Sequence, residues 1–356
     1  MAARRPAAAE PGGSTGEMRI VVDALGGDVS PAAPVAGTIL AAQRFPDTIM
    51  VLVGPEEILR AEIAKNRACP PNVEVLPASQ SIGMHEPPVR AFRQKKDSTI
   101  AVGIGHVAQG KADAFVSAGN TGAVVAASTL KLGLLDGVQK PGIAVPIVAL
   151  DHTAVIIDAG ANIYCKPSHL LQYGLMATVF SRDVLGVENP RVGLLNVGEE
   201  ERKGTELQKE AFELLSRAPV NFVGNVEARD IFFGKCDIAV CEGFAGNVLL
   251  KTSESVVAKL MHHLRTEIRK SLRRKVGFAL CRDVFQPVEH YGDYSEYGGA
   301  PLLGINGVTI VSHGRSDAKA MENAVREARS CVRLRINEKI AASIRQVPQS
   351  DEGTRA

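Results

Sequence analysis

Short β-branched and aliphatic runs recur along the chain and end in glycine-rich polar turns. RIVVDALGGD (19–28), IMVLVG (49–54), ADAFVSAGNTG (112–122), AVIIDAGAN (154–162), RVGLLNVGEE (191–200), DIAVCEGFAGN (237–247) and VTIVSHGRSD (308–317) share this form. Each predicts a strand followed by a tight turn. Between them lie helix-compatible stretches: PVAGTILAAQR (34–44), STIAVGIGHVAQG (98–110), HLLQYGLMATVFSRDVLG (169–186), KGTELQKEAFELLS (203–216) and DAKAMENAVREARSCVRLRINEKI (317–340). Strand, turn and helix in alternation predict a doubly wound, mostly parallel α/β sheet with helices on both faces. The repetition is architectural, since no sequence repeat underlies it.

The first 17 residues, MAARRPAAAEPGGSTGE, carry no apolar segment of the kind an export signal needs and read as a disordered extension. Order is expected from Met18, with one large α/β domain over 18–340 and a flexible tail over 341–356. Composition adds little to this: 45% hydrophobic and 22% charged residues are ordinary for a folded soluble chain of 356 residues. Glycine is abundant (34) and aromatics scarce (4%), which suits many tight turns and an aliphatic core. A net charge of +2 says nothing as a total, so any electrostatic message lies in its distribution. The six cysteines lack CxxC spacing, and Cys236 and Cys241 flank DIAV as buried strand residues. No zinc site is expected, and a reduced, cytosolic setting is the natural reading. No run approaches the ~20 apolar residues that span a bilayer.

GHVAQGKAD (105–113) is one residue short of a phosphate-binding loop, because Ala112 stands where Ser or Thr would hold magnesium. The overlapping GIGHVA (103–108) matches a short dinucleotide fingerprint. Both motifs require a strand, then the loop, then a helix. Here the order is reversed: Asp97 and Ser98 begin a helix over 99–109, Gly110 ends it, and the strand ADAFVSA follows. The paired glycines are therefore expected to permit close helix packing, and no nucleotide cofactor is implied.

In open α/β sheets, ligands gather beyond the carboxyl ends of the strands, where helix N-termini present unpaired N–H groups. The turns DALGGD, SAGNTG, DAGAN, NVGEEERKGTE, CEGFAGN and SHGRSD decorate those ends with small polar residues and predict an anion pocket. Candidates are Gly26, Gly27 and Asp28 in the first turn and Asn120 and Thr121 in the second. Asn162 and Lys166 in and after DAGAN, Lys203, Asn247, and His313 complete the set. Each has a plainer reading: Asn120, Thr121, Asn247 and His313 as helix caps, Asn162 as an Asx-turn, Lys166 and Lys203 as solvated lysines. No GxSxG or HExxH occurs, and no activated Ser or Cys nucleophile is marked. Attack by phosphate itself on a thioester needs no enzyme nucleophile, only alignment and stabilisation of the developing oxyanion.

Together, VDALGGD, SAGNTGA, DAGANIYCKPSHLLQ, LLNVGEEERKGTEL, FVGNVEARDIFFGK, CEGFAGNVLLK and YGGAPLLGINGVTIVSHG resemble, in order, the phosphate acyltransferases of bacterial phospholipid synthesis. The resemblance runs from about Met18 to Ala328. It implies formation of acyl phosphate from acyl carrier protein thioester and inorganic phosphate, without a cofactor. The implied fold is related to phosphotransacetylases and isopropylmalate-dehydrogenase-like proteins. A cytoplasmic homodimer in peripheral contact with the membrane, and with the downstream glycerol-phosphate acyltransferase, is implied as well. The family's catalytic lysine and asparagine fall on Lys203 and Asn247. Two positions depart from its pattern: Tyr164 replaces an acid and Ser168 replaces Glu, which affects either the pocket rim or only a helix cap.

Residues 255–282 break the α/β rhythm. Val257, Met261, Leu264, Ile268, Leu272 and Val276 form one apolar helical stripe. Seven Lys/Arg stand against the single acid Glu267 over 259–275, with Arg269, Lys270, Arg273 and Arg274 expected to project from the stripe. An amphipathic basic helical insertion over 255–295 is expected. It is either a core-packed helix with a solvated face or a protruding element that meets acyl carrier protein, anionic lipid, or both. Aromatics are not interleaved with the charges, which disfavours nucleic acid. A phosphotransacetylase acting on acyl-coenzyme A, a dehydrogenase of related fold and a non-catalytic membrane scaffold remain as alternatives.

Overall fold

The computed structural model describes residues 17–66, 69–149, 152–281 and 298–347. Its strands are β1 (Met18–Asp23), β2 (Thr48–Gly54), β3 (Val73–Pro77), β4 (Ala114–Ser117), β5 (Gly142–Ile143), β6 (Val145–Val148), β7 (Thr153–Ile157), β8 (Arg191–Leu195), β9 (Asn221–Val226), β10 (Ile238–Val240), β11 (Ala300–Leu303) and β12 (Val308–Val311). The helices are α1 (Ala32–Arg44), α2 (Glu56–Ala64), α3 (Pro88–Gln94), α4 (Thr99–Ala108), α5 (Thr121–Lys131), α6 (Pro167–Asp183), α7 (Glu206–Ser216), α8 (Ala228–Phe232), α9 (Gly243–Arg269), α10 (Leu272–Leu280), α11 (Ala318–Arg333) and α12 (Ile336–Arg345).

The expected α/β architecture is present, distributed over two sheets of order β3-β2-β1-β4-β12-β11-β5 and β6-β7-β10-β8-β9. The centre of each is parallel, with Val21 of β1 opposite Val51 of β2 and Phe115 of β4. Antiparallel pairs stand at one side of each sheet: β11 with β12 and β5, and β6 with β7. Only Ala144 separates β5 from β6, so the chain passes from one sheet to the other within three residues. One apolar cluster joins Ile20 and Met50 of the first sheet to Val192 and Ile238 of the second, with Tyr173 of α6.

All seven strands read from the hydrophobic runs are found. Ser98 caps α4 by accepting from Ala101 N, and Gly110 takes the left-handed conformation beyond its end (φ 67°). Gly103 lies inside that helix against the Phe115 ring, which fills the space a side chain would need. Of the paired glycines, Gly103 therefore serves packing, while a Cβ at Gly105 would meet only the end of the Lys131 side chain, at 3.1 Å.

Three boundaries differ from expectation. The helix over 317–340 is broken at Arg335, which adopts φ 52°, and resumes as α12. Because Ile340, Ala341 and Ile344 of α12 are buried, order extends past the expected tail boundary at 341 to Arg345. The basic helix is no separate insertion. It is the continuation of α9, which starts at Gly243, and it breaks at Ser271, whose hydroxyl caps α10 by accepting from Arg274 N. Residues 282–295 of the expected insertion lie outside the described residues.

The root of α9 is seated by glycine. At Gly246 a Cβ would collide with the Asp158 carbonyl, and at Gly243 it would stand 2.8 Å from Asp158 Oδ2. At Gly277 in α10 nothing lies within 4 Å. Gly246→Ala is therefore expected to cost about 1–3 kcal/mol as an overpacked site. Gly277→Ala should leave stability unchanged or raise it by up to ~1 kcal/mol. Urea melts of both variants test this, and equal midpoints would mean that the α9 root yields freely.

Candidate active site

Three of the predicted turns are pressed together at the carboxyl edge of the first sheet. The anchor is Asp23, the buried last residue of β1. It accepts from Leu25 N (3.1 Å) and from the Ser117 hydroxyl (2.7 Å), which itself accepts from Gly119 N (3.0 Å). Burial pushes the Asp23 carboxyl above the usual carboxylate range, against the pull of these donors. At Gly26 a Cβ would lie 2.7 Å from Gly119 N, so the first turn touches the second backbone to backbone. Gly27 adopts φ 93°, open to glycine at little cost. Asp28 N then donates to Gly314 O (2.6 Å) and Ser312 N to Ser117 O (2.8 Å), which binds the SHGRSD turn to the other two.

The second sheet contributes through Asp158, which follows β7. Its carboxylate accepts from Ile143 N (3.0 Å), Gly160 N (3.1 Å), Ala161 N (3.0 Å) and Asn162 N (2.7 Å). Burial again raises this carboxyl and the four amides oppose the rise. The loop it holds faces α9, whose Asn247 side chain would lie 3.6 Å from a Cβ at Gly160. Glu242 is the cap of α9, accepting from Phe244 N (2.6 Å) and Ala245 N (3.0 Å). Asn247 is thus exposed within the helix and has no capping role.

Between the two halves lies a cavity of 510 Å³. Asp28, Gly119, Thr121 and His313–Arg315 line it from the first sheet, Ile143, Pro146 and Gly160 from the junction and the second, and Asn247, Lys251 and Glu254 from α9. Lys251 pairs with Glu254 at 3.1 Å. His313 Nδ1 accepts from Arg315 N (3.1 Å), which places the proton of the neutral ring on Nε2. Burial, then the nearby Lys251 charge, hold this imidazole below its usual range, so it is neutral at pH 7. Beside the Asp28 and Glu254 carboxylates, the cavity wall offers cations, a neutral imidazole, a carboxamide and the N-terminus of α5, and these four are suited to a phosphoryl or oxyanionic group.

Of the residues expected from sequence, Asp28, Thr121, Asn247 and His313 line this cavity. Gly26 and Gly27 shape the turn behind Asp28. Asn120 stands behind Thr121, and its plainer reading accounts for every group it has. It accepts from Ala123 N as the cap of α5 and donates to the carbonyls of Gly83, Met84 and Glu86. Asn162 is likewise occupied, donating to Pro141 O (2.5 Å) and Tyr173 Oη (3.0 Å). Lys166 is the N-cap residue of α6 and is not among the lining residues. Tyr164 is 86% exposed, and Ser168 Oγ donates to Gln139 Oε1 (2.8 Å), so neither departure from the family pattern falls on the cavity wall.

Lys203 stands on the loop after β8, its ammonium 3.9 Å from Glu200 and its side chain half exposed. It shares the carboxyl edge of the second sheet with Asn247, because β8 lies beside and parallel to β10, but it does not line the cavity. Sequence reasoning missed Lys251, Glu254 and Arg315. Lys251 was within reach, since it stands one helical turn beyond Asn247 and so shares its face.

The profile of the fatty acid synthesis protein family matches residues 18–339. The phosphate acyltransferase of Pelotomaculum thermopropionicum is 44% identical over 336 residues, covering 94% of this chain and 98% of its own. That of Halothermothrix orenii is 42% identical over 94% of this chain and 99% of its own. Among solved structures, a branched-chain phosphotransacylase from Enterococcus faecalis superposes with TM-score 0.55 at 13% identity, over 88% of this chain and 99% of that one. A phosphotransacetylase from Streptococcus pyogenes gives 0.53 at 16% identity, over 88% and 94%. At such identities the likeness is one of fold. On the full-length sequence matches, the chain belongs to the fatty acid synthesis protein family, that of the phosphate acyltransferases.

Proposed function

We propose that this acyltransferase moves a fatty acyl group from an acyl carrier protein thioester to inorganic phosphate, releasing acyl phosphate and the carrier thiol. The observation that carries the reading is the chemistry of the cavity wall. Among its described residues there is no cysteine, and the Ser312 hydroxyl is engaged with the Gly298 carbonyl and Ser316. The wall also carries Lys251, Arg315 and turn amides, groups whose charge and N–H donors suit an oxyanion. A phosphate oxygen then attacks the thioester carbonyl, a tetrahedral oxyanion forms, and its collapse breaks the C–S bond. The leaving thiolate takes the proton that the attacking hydrogen phosphate gives up, and the new C–O–P linkage is the acyl phosphate. In this reading Asn247 orients phosphate or carbonyl, and Lys203, from the neighbouring loop of the same strand edge, supplies positive charge to the developing anion.

The finer assignments belong to the same proposal. The chain acts in the cytoplasm as a homodimer and touches an anionic membrane peripherally, in position to hand acyl phosphate to a downstream glycerol-phosphate acyltransferase. Among the described residues no helix is long and apolar enough to cross a membrane. Beyond Gly246 no residue of α9 is buried, and Val257, Met261, Leu264 and Ile268 are only partly covered, while Leu272 and Val276 of α10 are exposed. The basic face is smaller than the sequence pattern suggested. Lys270 pairs with Glu267, and Arg274 reaches the same carboxylate at 2.6 Å, which leaves Arg269 and Arg273 as exposed cations toward acyl carrier protein or lipid.

Asn247→Ala should cut phosphate-dependent acyl transfer ~100-fold, the scale of losing one oxyanion donor, with an unchanged melting midpoint because Glu242 holds the cap. Lys203→Ala should lose activity on the same scale, and its exposed pair with Glu200 predicts no measurable stability cost. Turnover within threefold of the unsubstituted protein in either variant would remove that residue from the chemistry.

His313 gives a pH test. Its folded-state pKa lies below the unfolded value of 6.5 because of burial, then Lys251, with Glu254, Arg315 and Asp28 also facing it. The stability contributed by the neutral ring is present above pH 6.5 and is lost as pH falls through the lower folded value. The stability difference between the unsubstituted protein and His313→Gln should therefore shrink between pH 7.5 and pH 5. A difference independent of pH would show that the ring titrates normally.

Reversing Arg269 and Arg273 to Glu should weaken binding to phosphatidylserine-containing vesicles at least tenfold, at ~1 kcal/mol per basic residue near the surface, and flatten its salt dependence. Unaltered vesicle binding would place the membrane contact elsewhere.

A further inference from the structure

The cavity does not end at Asn247. A second depression, of 790 Å³, runs outward along α9 and shares Asn247 and Lys251 with the first. Its walls are two adjacent rows of the helix at four-residue spacing. One row is Val248, Thr252, Val256 and Leu260; the other continues from Asn247 through Lys251, Ser255 and Lys259 to His263. Rows of this spacing form the ridges of a helix surface, with a shallow groove between them. Val248, Val256 and Leu260 are 46%, 61% and 51% exposed, which leaves large apolar side chains facing solvent along one track. This track is distinct from the partly covered stripe Val257, Met261, Leu264 and Ile268. Among the described residues no carboxylate lines it, and its two lysines bring long aliphatic stems whose charged ends can turn to water.

The geometry points to this groove as the seat of the acyl chain of the thioester substrate, an inference that rests on the acyl-transfer reading above. Three observations select that occupant. The groove opens from the cavity at Asn247, the residue assigned above to orient phosphate or carbonyl, so a chain leaving a carbonyl held in the cavity has this path before it. From Asn247 to His263 the helix rises ~24 Å at ~1.5 Å per residue. One lipid chain reaches ~15 Å, half of a ~30 Å bilayer core. A full fatty chain therefore fits along the groove, whereas a two-carbon acyl group would not leave the cavity. Third, the groove is apolar on one side and its described lining holds no acid, which suits an alkyl chain with no group of its own to hydrogen-bond.

The test compares hexadecanoyl- and butanoyl-acyl carrier protein as donors, in lipid-free buffer, by phosphate-dependent thioester loss. In the unsubstituted protein kcat/KM should be higher for the longer donor. The double variant Val256→Ser/Leu260→Ser should lose ~10-fold or more with the hexadecanoyl donor, the scale of one or two lost apolar contacts, and stay within twofold with the butanoyl donor. Both side chains are exposed, so folding should be unaffected, and sedimentation of the variant checks this. Equal losses with both donors, or a change in oligomeric state, overturn the assignment in favour of a second copy of the chain covering the groove. Unchanged kinetics with weakened vesicle binding overturn it in favour of a membrane surface. If the unsubstituted protein forms acyl phosphate from neither donor, the acyl-transfer reading itself has failed and the groove assignment falls with it. Turnover of both donors at equal kcat/KM sinks the groove alone.

Discussion

The Asp158 carboxylate is the tie on which the site depends. Four backbone amides converge on it: Ile143, where the first sheet hands over to the second, and the three successive amides of Gly160, Ala161 and Asn162. The same residue sets the floor for α9, because Gly243 and Gly246 approach it more closely than any side chain allows. One buried side chain thereby fixes the sheet junction, a cavity wall and the origin of the helix that carries Asn247 and Lys251. A carboxylate is suited to this, since its two oxygens accept several donors at once, whereas a carboxamide would present N–H groups to N–H groups. The cost is burial of an acid, which is why its carboxyl is raised despite the donors.

Asp23 plays the corresponding part in the first sheet. It too ends an apolar strand, is fully buried, and organises the glycine turn that follows it through Leu25 N and the Ser117 hydroxyl. Two anchored turns thus face each other across the cavity, and the cationic and amide groups between them are set before any anion arrives. That preorganisation matters for catalysis by alignment, because dipoles already in place need no reorganisation as charge develops. On the proposed reading stability and function are coupled here, because a change that loosens either aspartate moves a turn that lines the cavity.

Much of this was legible in the chain. The runs ending in DALGGD, SAGNTG, DAGAN and SHGRSD gave strands and turns because an uninterrupted apolar run followed by glycine has few alternatives. What escaped has physical reasons. β5 is two residues long and β9 contains Gly224 at φ 90°, so neither carries a readable apolar pattern. Side-chain hydrogen bonding is also invisible in sequence. Asn120 and Asn162 look like ligands of an anion until their carboxamides are found on backbone carbonyls and Tyr173, while Asn247 looks like a cap until Glu242 is found in that role. Glutamate is not among the favoured capping residues, which is why CEGFAGN pointed to its asparagine. The break at Ser271 follows the same logic: a serine amid basic residues is unremarkable until its hydroxyl accepts from Arg274 N in the first turn of the next helix.

The length of α9 sets a further constraint. Past Gly246 it buries no residue, so its outer turns draw little from the core. Isolated helices are marginal, and those that hold their form away from a core rely on propensity and on neighbouring side chains. α9 has such support in the pairs Lys251–Glu254 and Lys270–Glu267, but each is exposed and weak. α10 packs back on α9, and Arg274 joins the two through the Glu267 carboxylate and carbonyl. A helix of 27 residues whose core contacts end in its first turns contributes little to the fold per residue. The side chains nearest its root line the cavity, those along the middle line the depression that continues from it, and those at the tip present cations, so one helix joins three different surfaces in sequence.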